Sequence, residues 1–558
     1  MCVRTALAAA LSLSALAAAA ADVPAPASEL AKLNAMTARF APVPIGADLA
    51  ALPEHERACL RKLVEAARIV DTLFLRQVSA GNETLLLDLA RDRTPLGRAR
   101  LRYFVLNKGP WSRLDHNAPF LPGVGEKPPT GTFYPDGATK DELDAWMKAL
   151  PEAERAEAGG FFTTVRRRPD GKLHAVPYSV EYQPELARAA ALLREAAALT
   201  KQPTLQSFLE KRAAAFLSND YYASDVAWME LDASIEPTIG PYETYEDEWF
   251  GFKAAFEAFV TVRDDTETKK LARFSAQLQG LEDALPVDPK YRNPKLGALA
   301  PIRVVNVVFS SGDGNRGVQT AAFNLPNDER VVNKMGSKRV MLKNSQEAKF
   351  QKVLVPISGV ALPPADRANL ACDAFFTHIL MHELMHGLGP QTITVAGRAT
   401  TVRQELKESY GTLEEAKADI SGLWALQRLV DQGVLDKSLE RTMYTTFLAS
   451  AFRSIRFGLN EAHGRGVALQ LNSLLDAGAF TVRPDGTFTV DRAKVRAGVE
   501  ALTREILTIQ AEGDAAKAKD LIATRAVIRP PVQKILDRLA AVPVDIEPRF
   551  TILDASAR

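Results

Sequence analysis

Apolar positions recur at helical spacing along most of this chain, and the exceptions to that pattern mark where other elements begin. From residue 22 to about Ala215 the pattern predicts a series of helices, broken by a Pro/Gly-rich loop from Gly109 to Gly137. From Ile302 it changes to short β-branched runs, Arg303–Phe309 and Arg339–Leu342, which predict strands separated by turns. Phe375 to Leu388 is an almost continuous apolar run that stops at Gly387, Gly389 and Pro390, so it predicts a buried helix. A further helix is predicted to start in Thr412-Leu-Glu414-Glu415-Ala-Lys-Ala-Asp419, where Thr412 and Glu415 have capping-box spacing. Beyond Asp436 the pattern is again helical. The exception is Ala479–Val490, whose Pro-Asp-Gly centre predicts a two-stranded hairpin.

One glycine pattern tests for a nucleotide fold. Gly312-Asp-Gly314-Asn-Arg-Gly317 follows a predicted strand, as a dinucleotide fingerprint would, but Val318–Phe323 reads as another strand. With no helix opening at the third glycine, there is nothing to receive a pyrophosphate, and a hairpin loop is the expected structure.

Composition narrows the class without deciding it. The 558 residues are 47% hydrophobic and 25% charged, as in an ordinary globular protein, and the length exceeds what one core usually organises. Met1–Ala21 has Arg4 as its only charge, an Ala/Leu-rich centre and small residues before Asp22, which predicts a cleaved secretory signal and a periplasmic or secreted protein. Without Arg4 the basic and acidic residues balance, which argues against nucleic acid or an anionic membrane as a partner. No later run is suited to span a bilayer, so no membrane anchor is expected after signal cleavage. Cys59 and Cys372 would remain; two cysteines make no disulfide framework, and their pairing is left open by sequence.

The chemistry concentrates in the apolar run. His382-Glu383-Leu-Met-His386 is the pentapeptide H-E-x-x-H, and two histidines four apart on a helix present both imidazoles to one zinc, with Glu383 beside the open position. The alternative is a pair of satisfied core histidines. His378 lies two turns, about 12 Å, from His386 and is too far away to share its metal. A glutamate in the following helix is the better third ligand, and Glu414 and Asp419 could stand behind the imidazoles. His463, by itself, reads as a surface histidine.

Assembled in order, these residues resemble the M49 metallopeptidases, the dipeptidyl peptidase III family. Gly240-Pro-Tyr-Glu243-Thr-Tyr245 with Phe256-Glu-Ala-Phe-Val260 is similar to that family's E-x-Y segment, and Asn324-Leu-Pro-Asn327 to its N-x-P-N segment. Glu414-Glu415-Ala-Lys-Ala-Asp419 is similar to its E-E-x-R-A-E motif, and Glu461-Ala-His463 to its late histidine. Better-known members carry H-E-x-x-G-H; the shorter spacing here resembles the peptidase-like region of plant Nudix fusion proteins, without a Nudix box.

The resemblance implies an α+β fold of two lobes around a cleft, one mostly helical with the zinc and one mixed with a β-barrel core. Residues 22–263 and 308–353 would form the mixed lobe, and 264–307 with 354–558 the helical one. It implies one zinc ion per chain on His382, His386 and Glu415, with Glu414 and Asp419 supporting the imidazoles. Glu383 would be the general base, Tyr245 and His463 would donate to the oxyanion, and Glu243, Asn324 and Asn327 would take the substrate's ammonium. The expected function is a zinc exopeptidase releasing dipeptides from the amino ends of short peptides. The alternatives are a zinc hydrolase of the same fold acting on another peptide or amide, and a zinc-stabilised peptide-binding protein without turnover.

Overall fold

In the computed structural model, which describes residues 26–296 and 301–555, the hydrophobic side chains gather into two large cores. The expected signal, Met1–Ala21, lies outside the described residues.

The first core forms between helices and a sheet. Helix α1 (Glu54–Val78) buries Leu60, Leu63, Ala67, Val70 and Phe74 completely, a three-and-four spacing that puts all five on one face. That helix packs on α2 (Gln183–Leu199), which in turn packs on α3 (Pro203–Ser218), and on the sheet. The sheet consists of β1 (Thr238–Glu243), β2 (Ala255–Arg263), β3 (Ile302–Gly312), β4 (Ala322–Leu325) and β5 (Lys338–Leu342), in the order β1-β2-β3-β5-β4. Only β3 and β5 pair in parallel. Register shifts in the β1–β2 and β2–β3 ladders mark the irregularities at which a sheet bends. The sheet curls far enough for Asn327, just past edge strand β4, to donate from Nδ2 to the Tyr242 carbonyl of edge strand β1 at 2.9 Å.

The hairpin expected around Gly312–Gly317 does not form, because β5 lies between β3 and β4. The residues that would have paired are committed elsewhere: the Gly317 N–H donates to the Leu106 carbonyl and the Gln319 N–H to Asp545 Oδ2. The strand after the loop is therefore Ala322–Leu325 rather than Val318–Phe323.

The second core is helical: α4 (Cys372–Met385), α5 (Tyr410–Asp431), α6 (Ser438–Ile455), α7 (Ala462–Asp476) and α8 (Val495–Glu512). Helix α5 lies at its centre, touching the other four. Glycine permits two of these close approaches. A Cβ at Gly422 would lie 3.2 Å from the His382 nitrogen of α4, and one at Gly466 of α7 would lie 3.1 Å from backbone atoms of Thr412 and Ala416. The chain enters α5 through a 3-10 turn at Lys407–Ser409, so Thr412 is buried within the first turns and does not cap the helix.

The two cores are joined by strands. Ile302, Val304 and Met341 belong to the helical core, whereas Val305, Val307 and Leu342 of the same strands belong to the first. Burial on both sides explains why β3 and β5 carry consecutive apolar residues, Val304-Val305, Val307–Phe309 and Val340–Leu342, rather than a strict alternation. The last strand, Asp545–Phe550, pairs in parallel with Phe40–Ile45 and buries Ile546 in the first core. Cys59 and Cys372 are both free thiols.

Candidate metal and peptide site

Helix α4 presents its histidines to α5 across the contact at Gly422, and α5 answers with the adjacent Glu414 and Glu415 and, about one turn on, Asp419. His382 Nδ1 donates to Asp419 Oδ1 at 2.7 Å, and His386 Nδ1 donates to Glu414 Oε1 at 2.9 Å. Each carboxylate accepts, so each imidazole carries a proton on Nδ1 and turns its Nε2 inward. The two Nε2 atoms stand 3.1 Å apart, and Glu415 Oε2 lies 3.3 Å from the first and 3.9 Å from the second.

Around this triad the polar groups are interlocked. Gln470 of α7 donates to Asp419 Oδ2 at 3.2 Å, and Gln510 of α8 donates to Glu414 Oε2 at 3.0 Å. Lys417 pairs with Glu414 Oε1 at 2.8 Å and also donates to the carbonyls of Met385 and Leu388, ending α4 where its helical bonds run out. Burial alone would raise these acids. His382 outweighs it at Asp419, and Lys417 with His386 at Glu414, so both are held at about 2.

Glu415 differs. Its Oε2 is buried and faces imidazole nitrogens alone, His463 Nε2 at 3.0 Å and His382 Nε2 at 3.3 Å, without a well-formed hydrogen bond to either. Glu383 borders the same space, with Arg339 Nε of β5 at 3.9 Å from Oε2. His378, by contrast, donates from Nε2 to the Asp419 carbonyl at 3.0 Å, and burial lowers its pKa. It is a satisfied core histidine.

Glu243, Tyr245, Asn324 and Asn327 line a cavity of about 1030 Å³ that also reaches Glu461, two residues before His463. Burial, and then the nearby Asp313, push the Glu243 carboxyl up to about 7 against the pull of Arg316. Asn327 spends its N–H on Tyr242, and its Oδ1 accepts nothing among the described residues. Tyr245 is 73% exposed. Sequence reasoning passes over Gln470, Gln510, Lys417 and Arg339. Of these only Lys417 lies inside a motif, the acidic one, where its position offers a signal.

Residues 169–419 match the description of peptidase family M49. Nudix hydrolase 3 of Arabidopsis thaliana is 43% identical over 570 residues, covering 93% of this chain and 73% of that protein. Human dipeptidyl peptidase 3 is 24% identical over 347 residues, 53% of this chain and 46% of that one. The structure of dipeptidyl-peptidase III from Corallococcus sp. strain EGB is 66% identical with a TM-score of 0.82, covering 94% of this chain and 98% of its own. That of DPP III from Caldithrix abyssi is 46% identical with a TM-score of 0.92, covering 94% and 99%. With the two-lobed fold and the ordered motifs, these likenesses identify the chain as a peptidase belonging to family M49.

Proposed function

We propose that the protein is a zinc-dependent exopeptidase that releases dipeptides from the amino ends of short peptides, with one ion per chain on His382, His386 and Glu415. The observation that carries this reading is the convergence of three donor atoms within 4.8 Å of one another. Tetrahedral ligands at about 2.0–2.1 Å from zinc stand roughly 3.3 Å apart. The separations of 3.1, 3.3 and 3.9 Å therefore suit one small cation. Two inward-facing Nε2 atoms and a buried carboxylate oxygen also suit a positive charge between them.

Bound there, zinc supplies Lewis acidity at the carbonyl to be cleaved. Glu383 takes the proton of the attacking water and returns it to the leaving amine. Asp419 and Glu414 keep both imidazoles in the tautomer that faces the ion. His463 and Tyr245 donate to the oxygen that gains charge in the transition state. Glu243 binds the substrate's ammonium with Asn324 and Asn327, and a carboxyl raised by burial and by Asp313 is one that a cation relieves. Holding the first amino group there fixes the bond cut as the second.

The composition of Met1–Ala21 supports export to the periplasm or outside the cell, which sequencing the amino end of the mature protein would test. No described helix is long and apolar enough to cross a membrane. The deciding experiment is mass spectrometry of products from a mixed peptide library, with and without chelator. Dipeptides lost on chelation are expected; products from interior bonds would favour a zinc hydrolase of other specificity, and no products a binding protein.

A further inference from the structure

A second cavity, of about 300 Å³, adjoins the triad. It shares His382, Glu383 and His463 with the metal site but is lined by none of Glu243, Asn324 or Asn327. Its walls are mainly apolar: Phe375, Ile379, Phe447, Ala451 and Val467. Arg453 of α6 is its one arginine or lysine.

That arginine lacks a partner. Its Nε is buried without a hydrogen bond, and its guanidinium makes no ion pair among the described residues. The one carboxylate whose field it feels, Asp545, accepts on Oδ2 from Lys349 at 2.8 Å and from the Gln319 N–H at 2.6 Å, and neither of its oxygens hydrogen-bonds to Arg453. The Phe375 ring supports the guanidinium from below, its centroid 5.9 Å from Cζ. Burial lowers the Arg453 pKa, yet an arginine keeps its charge. A partly buried cation with no hydrogen-bonded counter-ion has donors to spare, and a planar guanidinium matches a carboxylate with two parallel hydrogen bonds.

We propose that Arg453 binds a carboxylate on the residue just past the scissile bond, so that the enzyme favours substrates negatively charged at that residue. This rests on the exopeptidase reading, in which the first two residues occupy the Glu243 cavity and the bond to be cut lies at the triad. The third residue of the substrate then passes Glu383 and His463 into the second cavity. A volume at the lower end of ligand pockets suits a single residue there. The carboxylate is either the main-chain end of a tripeptide or an acidic side chain.

The test uses tripeptides identical in their first two residues. The third is alanine as free acid, alanine amide, aspartate amide or asparagine amide. The wild-type protein should cleave alanine acid over alanine amide, or aspartate amide over asparagine amide, with kcat/KM at least about tenfold higher; which pair shows the preference identifies the source. In Arg453→Met the ratio should fall towards one. Calorimetric titration of the same peptides into Glu383→Gln protein, with and without Arg453→Met, reads the preference as affinity without turnover. It distinguishes failure of this inference from failure of the exopeptidase reading, because binding preference can survive without dipeptide release. A wild-type protein indifferent to the charge in both assays, or a preference that persists in Arg453→Met, would overturn the proposal.

Discussion

Glu415 Oε2, a buried oxygen without a hydrogen bond, shares its space with two inward-facing imidazole nitrogens, and these atoms make the sharpest residue-scale predictions. Glu415→Ala should lose most bound zinc by elemental analysis, whereas His378→Ala should keep it, because His378 is spent on the Asp419 carbonyl. The reverse result would move the ligand set. Asp419→Asn should weaken zinc about 10–100-fold, the usual effect of removing a carboxylate behind a metal-binding histidine. Glu383→Gln should keep zinc while turnover falls at least ~100-fold; an unchanged rate would remove Glu383 as the base. The pairing of His382 with His386 was legible because four residues are one helical turn. Gln470 and Gln510 were not, since a glutamine on a distant helix carries no spacing that announces its partner, and only packing brings it to the acid.

Helices α4 and α5 do at the scale of elements what the histidines and acids do at that of residues. Gly422→Val should destabilise the protein by about 1–3 kcal/mol in urea unfolding, because the added carbons meet the backbone of α4 beside His382. Unchanged stability would mean that the helices separate freely and do not set the site. Most of these helices were legible from apolar spacing, as was the Phe480–Val482 and Phe488–Val490 hairpin around Pro-Asp-Gly. A second Pro-Asp-Gly, at Pro169–Gly171, turns the hairpin of Thr163–Arg167 and Leu173–Pro177 in a stretch whose pattern predicts helices. Arg166–Arg168 and Lys172 flank that turn directly, so each strand keeps only a short apolar or β-branched stretch, and the alternation is weak there. Strand order was equally hidden: neighbours in the sheet are chosen by long-range hydrogen bonding, and the residues after Gly317 found partners far away in sequence.

At the scale of the whole molecule, the proposed ammonium groups and Tyr245 belong to the lobe of the sheet, and the triad to the helical lobe. A cavity of about 1030 Å³ and a Tyr245 that is 73% exposed leave room for the lobes to approach. Binding a short peptide to Glu383→Gln protein should therefore reduce the radius of gyration in small-angle X-ray scattering; an unchanged value would mean that the groups act without closure. The division into two cores is legible from length and composition, but the way β3 and β5 run from one core into the other is a matter of packing that periodicity does not encode. The most direct measurement compares one short peptide with a free amino end and with an acetylated one. The cap removes the charge and leaves Glu243, Asn324 and Asn327 without their partner, a loss on the order of 3 kcal/mol, or over ~100-fold in rate. The account predicts that the free peptide yields its first two residues as one piece and that the capped peptide is nearly inert. Equal cleavage of the two would contradict it.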